Sequence, residues 1–460
     1  MKRFALAVAL TASTLSSVCL AENPIIQTHF SPDPAPMVSN GTLYMYTGDD
    51  IPGTSFFYMT KWRVSSTTDM VNWTDHGVPL SLESFSWARD RAWASQCIER
   101  NGKFYWYICA QTDQSNTMGI GVAVSNSPTG PFVDAIGKPL IEGSWANIDP
   151  TVFIDKDDQA YLYWGNPSCN YVKLYKDMIS YSGEIVTQPQ TVESFGGAKG
   201  PNRDPNVKNV DSYVEGPWIC ERTGKYYLMY AAGGVPEHIS YSMSDKATGP
   251  WKYAGVIMPL QETNSFTNHS GLIDYKGKSY FFYHTGKLPN GGGYGRSAAI
   301  EEFTYNADGT IPTILMTQEG VKPVGTLNPY KRVEAETMAW SKGLKTSQNA
   351  KVGVFVTEAR VGSFLKVRQV DFGQKMPQTF SASVATGLPA SILEVRLDSI
   401  KGQLATTLRI GRTGGWDAWT TLQSPVKEQI TGIHDLYFLF KGDNVTVGRE
   451  LFNFDYWMFQ

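Results

Sequence analysis

Three carboxylic acids open short apolar segments that run through a proline: Asp33 in SPDPAPMV (31–38), Asp149 in NIDPTVFID (147–155) and Glu215 in VEGPWI (214–219). Carboxylates crowded together repel and raise one another's pKa values, so a purely structural protein has little reason to gather three of them. Hydrolysis of a glycosidic bond does have a reason. One carboxyl must carry a proton for the leaving oxygen while a second stays ionised. Where a water fits between them, the ionised group activates that water and the anomeric configuration inverts. A third carboxylate beside the acid would raise its pKa and keep it protonated. Spacing alone does not say which residue is base, acid or tuner. No glycine-rich phosphate loop and no Ser-His-Asp spacing accompanies them, which disfavours phosphoryl and acyl transfer.

The elements that must position these groups repeat along the chain. The aromatic phrase LYMYTG (43–48) returns as FYWYIC (104–109), AYLYWG (160–165), YYLMYA (226–231) and SYFFYH (279–284). Each copy follows a turn, such as Asn40-Gly41, Asn101-Gly102 or Lys276-Gly277, and each turn follows another apolar run, which gives a hairpin. Two further short strands lie downstream, for example at 121–124 and 132–134, joined by a turn containing Thr129-Gly130-Pro131 that reappears as Thr248-Gly249-Pro250. Four strands repeated five times predict an all-β chain with a five-bladed β-propeller. Eleven or twelve positions before the aromatic tyrosines stand Asp33, Trp93, Asp149, Glu215 and His269. Innermost propeller strands line the axis, so these five are expected to converge on one central pocket.

Through its three carboxylate motifs the segment from about residue 23 to 325 resembles glycoside hydrolase family 43. The resemblance implies that Asp33 is the general base, that Glu215 is the general acid, and that Asp149 tunes and orients Glu215. It also implies inversion, and a histidine at the position of His269 touching a hydrated calcium in the central channel. Trp93, in AWASQ (92–96), is expected as an apolar wall against the sugar, with a core aromatic as the alternative. Phe30 is a further wall candidate. Arg296, in YGRSAAIEEF (294–303), suits sugar hydroxyls or a surface salt bridge.

The repeat stops near Val324, and residues 326–460 read as short alternating strands suited to a jelly-roll-like β-sandwich. This part resembles carbohydrate-binding module family 6 through VEAETMA (333–339), VDFG (370–373), TGGWDAWTT (413–421) and LFNFDYW (451–457). The resemblance implies that Trp416 stacks on sugar and that Glu334, Glu336 and Asp455 hold a structural calcium through oxygen ligands. Trp419 is expected in the core, and Asn453 is a weaker ligand candidate. Where the module family presents a tyrosine opposite the tryptophan, this chain has Phe355, so the cleft either stacks on that ring or is lost.

Composition bounds the partners. Aromatic residues make up 13% of the 460, charged residues only 18%, and the formal net charge is −3. That balance offers nothing to nucleic acid or an anionic membrane and suits a neutral polysaccharide. Lys2 and Arg3 followed by a mostly apolar run to Leu20 read as a signal peptide over residues 1–21, which leaves a catalytic domain at 22–325 and a secreted, monomeric protein. A lipid anchor on Cys19 is the alternative. Cys97 and Cys109 fall in neighbouring strands and could pair. The expected activity is exo-acting release of xylose or arabinose from xylan or arabinoxylan, with calcium as the one inorganic cofactor and no organic one. Endo-arabinanase or galactan cleavage, or a sugar-binding propeller without catalysis, are the alternatives.

Overall fold

The computed structural model describes residues 22–112, 117–197, 211–442 and 448–460. The signal segment at 1–21 lies outside the described residues. The described residues are all β apart from two single-turn helices at Leu82–Ser84 and Val192–Phe195. Among the described residues no helix is long and apolar enough to cross a membrane.

Residues 31–303 form five antiparallel sheets in chain order. Their first strands are Ala35–Ser39, Gln96–Arg100, Thr151–Ile154, Tyr213–Arg222 and Gly271–Tyr275. Each first strand pairs with the aromatic strand that follows it: Met37 faces Tyr44, Ile98 faces Tyr105, Phe153 faces Tyr161, Cys220 faces Tyr227 and Ile273 faces Tyr280. Neighbouring first strands touch in succession, and the fifth also touches the first. That last approach is close. A Cβ on Gly271 would lie 2.5 Å from Pro36 and 2.6 Å from the Pro34 carbonyl, so only glycine fits there. Gln96 ties the second sheet to the third, its side-chain oxygen accepting from the Val152 amide at 2.8 Å.

Three sheets depart from a plain four-strand repeat; the second has six strands, with Ala88–Asp90 and Ile141–Ser144 as additions. The fifth has three strands, Gly271–Tyr275, Lys278–Thr285 and Ser297–Phe303, and the N-terminal segment adds a parallel bridge from Ser31 to Ser297. The first gains Thr337–Met338, which pairs with Trp73–Asp75 although it lies in the C-terminal third. The four described cysteines, Cys97, Cys109, Cys169 and Cys220, stay free. Cys97 faces Trp106 in the register, while Cys109 lies three residues further along that strand and donates to the Ala94 carbonyl at 3.4 Å.

The C-terminal part is two facing sheets around its own apolar core, with Val367, Leu393, Phe438, Phe440, Phe454 and Trp457 fully buried. Its junction with the first sheet is polar and specific. Asn72 donates to the Arg368 carbonyl and accepts from the Arg368 amide, both at 2.8 Å. Asp75 accepts from Arg63 at 2.7 Å and from Thr346 at 2.6 Å.

Candidate active site

The three carboxylates do converge. Asp33, Asp149 and Glu215 line one cavity of about 190 Å³ with Phe56, Phe57, Trp93, Trp145, Asn166, His269 and Arg296. A larger groove of about 690 Å³, between the first sheet and the C-terminal domain, is lined by Glu83 as its one carboxylate and so lacks an acid/base pair.

Local backbone explains how the acids reach the cavity. Asp33 and Asp149 take positive φ, 54° and 57°, immediately before their prolines. Side chains with a Cβ rarely adopt this conformation, and it concentrates at functional sites. Glu215 sits between two register shifts in the pairing of Tyr213–Arg222 with Lys225–Ala232. Such bulges re-aim a side chain out of the ladder. Gly216 follows at φ 60°, where a Cβ would lie 3.0 Å from the His269 ring.

The three acids have unlike surroundings. Asp33 is buried, which alone would raise its pKa. Arg296 at 3.1 Å and His284 at 3.2 Å outweigh burial and hold Asp33 well below the usual carboxylate range. Asp149 is pushed far up by burial and by the charges of Glu215 and Asp33, against a 3.0 Å hydrogen bond from the Gly216 amide. Glu215 is also raised by burial, although hydrogen bonds with Asn166 and Glu237 pull the other way. The site thus combines one ionised carboxylate with groups that favour protons.

Arg296 is not a surface residue. It is buried, grips Asp50 through Nε and Nη2 at 3.0 Å each, donates Nη1 to Asp33 and lies 4.5 Å over the Phe57 ring. His269 lines the cavity, and burial lowers it to about 4, so the ring is neutral. Trp93 forms a wall, its indole donating to the Phe57 carbonyl at 2.8 Å and its ring meeting Trp145 edge to face at 5.4 Å. Phe30 does not reach the cavity. Its ring packs behind, against Gly295, and the loop at 51–60 supplies Phe56 and Phe57 to the wall instead.

Sequence reasoning missed Glu237, Asn166, His284, Asp50, Phe56, Phe57 and Trp145. Stepping back from each aromatic tyrosine finds only first-strand residues, whereas Asp50 and His284 lie at the far ends of second strands and Glu237 opens a third. The acidic pair in TGDD (47–50) and the glutamate in VPEHISY (235–241) were the available signals.

In the C-terminal domain Trp416 stands 41% exposed. Asn453 does not face an open cleft: it is buried, accepting from Thr357 and donating to the Trp416 carbonyl, both at 2.8 Å. It fixes the strand that presents Trp416. Trp419 is half-buried rather than core, donating to Asp417 and meeting the Phe355 ring at 5.1 Å. Glu334 and Asp455 share the Arg332 guanidinium, at 2.8 and 3.1 Å. Among the described residues no group of three or more acidic, His or Cys side chains is arranged around a common metal position. Glu336 is buried nearby with Oε2 lacking a partner, and burial together with Glu334, Asp75 and Asp455 pushes its carboxyl well up.

Comparison with known proteins agrees with both halves. The family described as glycosyl hydrolases family 43 matches residues 21–311, and carbohydrate binding module (family 6) matches residues 334–460. An arabinoxylan arabinofuranohydrolase of Bacillus subtilis is 32% identical over 98% of this chain and 95% of its own length. A xylosidase/arabinosidase of Bacteroides ovatus is 32% identical over 61% of this chain and 94% of its own. The crystal structure of a family 43 arabinoxylan arabinofuranohydrolase from Bacillus subtilis, in complex with cellotetraose, superposes with a TM-score of 0.81 at 31% identity, covering 95% of this chain and 97% of that one. With the carboxylate cavity in its first part and the module match in its second, the chain belongs to glycosyl hydrolases family 43 and carries a family 6 carbohydrate binding module.

Proposed function

We propose that this glycoside hydrolase of hemicellulose removes single arabinose or xylose units from arabinoxylan or xylan with inversion. The observation that carries the reading is the unequal pair: Asp33 held ionised by Arg296, and Glu215 raised by burial across the same one-sugar cavity. Asp33 takes a proton from a water as that water attacks the anomeric carbon, and Glu215 gives its proton to the departing oxygen. Asp149 orients the acid through the Gly216 amide, and the charge of Asp33 favours a protonated Glu215. The small cavity walled by Phe56, Phe57, Trp93 and Trp145 supports trimming of single units over internal cutting. We take the five sheets to close into a propeller around this cavity, a reading supported by the contact of the fifth first strand with the first. The relatives named for arabinoxylan and for xylosidase/arabinosidase activity support the pentose substrates.

The test is a product profile on arabinoxylan, arabinan and xylo-oligosaccharides, with the anomer followed by NMR as it forms. Free pentose of inverted configuration is expected. A retained anomer, internal fragments of arabinan, or no cleavage of any pentoside each contradict the reading.

Trp416 and calcium extend the proposal. The exposed indole supports stacking on a sugar face, so Trp416→Ala should weaken retention on insoluble arabinoxylan and leave turnover of a soluble pentoside intact. Unchanged retention would remove Trp416 from binding. The one feature that supports a hard cation in the C-terminal domain is the orphaned Glu336 oxygen, since Arg332 holds Glu334 and Asp455 and the three are not arranged around a common position. With Glu334 and Asp455 it would hold a structural calcium, and His269 would touch one through water. Chelation by EDTA is then expected to lower the melting midpoint, with calcium restoring it; an unmoved midpoint rejects the ion.

A further inference from the structure

Behind the aromatic wall of the cavity stands Arg91. Its guanidinium carbon lies 5.0 Å from the centre of the Trp145 ring and 5.6 Å from the centres of the Phe56 and Trp93 rings. Those three rings line the cavity, whereas Arg91 does not. They arrive on separate connections: Phe56 ahead of the strand Lys61–Thr67, Trp93 ahead of Gln96–Arg100 and Trp145 just past Ile141–Ser144. An arginine is a costly choice at this spot. Nε and Nη1 are buried without a hydrogen-bond partner among the described residues, and donors withdrawn from water in that way destabilise a fold. The residue also stands at φ 62°, where side chains with a Cβ are uncommon and strain gathers at functional sites. A methionine would fill the same space with no donor unpaired. What it would lack is a positive charge against the faces of three rings.

The wall has a base side and an acid side. On the base side the Phe57 ring lies under Arg296, which grips Asp33. On the acid side the carbonyl of Ala146, next to Trp145, accepts from the Asn166 backbone amide at 3.4 Å, and the Asn166 side chain donates to Glu215. Trp145 therefore stands beside the carboxyl that gives its proton to the departing oxygen. It is 42% exposed, so a sugar lying outside the cavity can reach its ring. The backbone that carries Arg91 is fastened: the Ala92 amide donates to the Met59 carbonyl and the Trp93 amide to the Arg91 carbonyl, both at 2.8 Å. The guanidinium thus bears on Trp145 from a fixed base.

We propose that Arg91 is a positioning residue for the leaving side of the scissile bond: its charge holds the Trp145 indole as the platform on which the departing sugar stacks. The inference deepens the hydrolase reading and rests on Glu215 being the general acid. Phe56 and Trp93 are partly buried and confine the guanidinium, whereas Trp145 is the exposed member of the three and the ring that drifts once the charge is gone. A substrate whose leaving group is a sugar then loses contact area. One that expels a small ion loses none. Preference for sugar leaving groups is in this way set by a residue that touches no sugar.

The experiment measures kcat and KM for wild type, Arg91→Met, Arg91→Lys, Trp145→Ala and the double variant Arg91→Met/Trp145→Ala. One substrate is a xylo-oligosaccharide or its arabinosyl derivative, and the other is the fluoride of the same pentose and anomer, whose leaving group has no ring to stack. In Arg91→Met the ratio of kcat/KM on the oligosaccharide to that on the fluoride should fall by ~10-fold, with most of the change in KM. Arg91→Lys keeps a cation and should recover most of the ratio. Trp145→Ala should lower the ratio at least as far, and adding Arg91→Met to it should lower the ratio no further, because the arginine acts through the indole. Equal losses on both substrates, a lysine no better than methionine, or a full second loss in the double variant would each overturn the proposal and leave Arg91 as packing. Should Arg91→Met not fold, Trp145→Ala, altered at an exposed position, still decides: an unchanged ratio there rejects the platform. Failure of the acid assignment looks different, since Glu215→Gln would then remain active on the oligosaccharide with Arg91 untouched.

Discussion

Glu215→Gln is expected to lose activity on arabinoxylan and xylo-oligosaccharides by ~10²–10⁴-fold, the range for removing a positioned general acid. The amide has the same shape, and its oxygen can still accept the Asn166 hydrogen bond that now reaches Glu215. Folding and substrate affinity should therefore change little, and the loss should fall on kcat. What the variant lacks is a transferable proton. The deficit should shrink on aryl pentosides as the leaving group becomes more acidic, since departure then needs less protonation. A variant that keeps most activity on poor leaving groups, or loses equally on all, would remove Glu215 from the acid role and undo the mechanism with it.

Arg296→Met should be nearly as damaging, in two separable ways. The guanidinium is shared between Asp33 and Asp50, both buried. Removing one partner of a buried ion pair costs about 3–5 kcal/mol, because the carboxylates left behind are unpaired. A lower denaturation midpoint is therefore expected. The second effect is on pH dependence, and its sign follows from Asp33. Burial raises that carboxyl and Arg296 lowers it, with a net depression. A depressed carboxylate contributes stability above its unfolded pKa, lost only as pH falls through the folded value. Without Arg296, burial prevails, the folded pKa rises, and the base is protonated at a pH where it was ionised. The acidic limb of the rate profile should move to higher pH and the low-pH stability of the fold should fall with it. An unmoved acidic limb would mean that Arg296 does not govern the base.

How much of this was legible in the sequence depended on backbone periodicity. The five aromatic strands carry a visible repeat because each must pack on both faces, and fixed offsets from them reach Asp33, Trp93, Asp149, Glu215 and His269, all five of which line the cavity. The repeat says nothing of residues that long connections deliver. Phe56, Phe57 and Trp145 come from such connections, and Phe30, sequence neighbour of the base strand, packs behind the wall against Gly295 instead. Partners of charge were equally hidden. Nothing in the spacing of Asp50 and Arg296, 246 residues apart, announces that they pair. In the C-terminal domain the aromatic and amide residues were visible, but their directions were not: Asn453 turns inward to Trp416, and Trp419 lies half out of the core against Phe355.

The pairing of Thr337–Met338 with Trp73–Asp75 bears on how this enzyme can be dissected. Excision of the catalytic part at the end of its repeat would bare the edge of the first sheet and strand Asn72 and Asp75 without Arg368 and Thr346. Raw β edges recruit other chains. The shortened enzyme should clump unless the cut falls beyond Met338, and the intact one should melt in a single calorimetric endotherm rather than two.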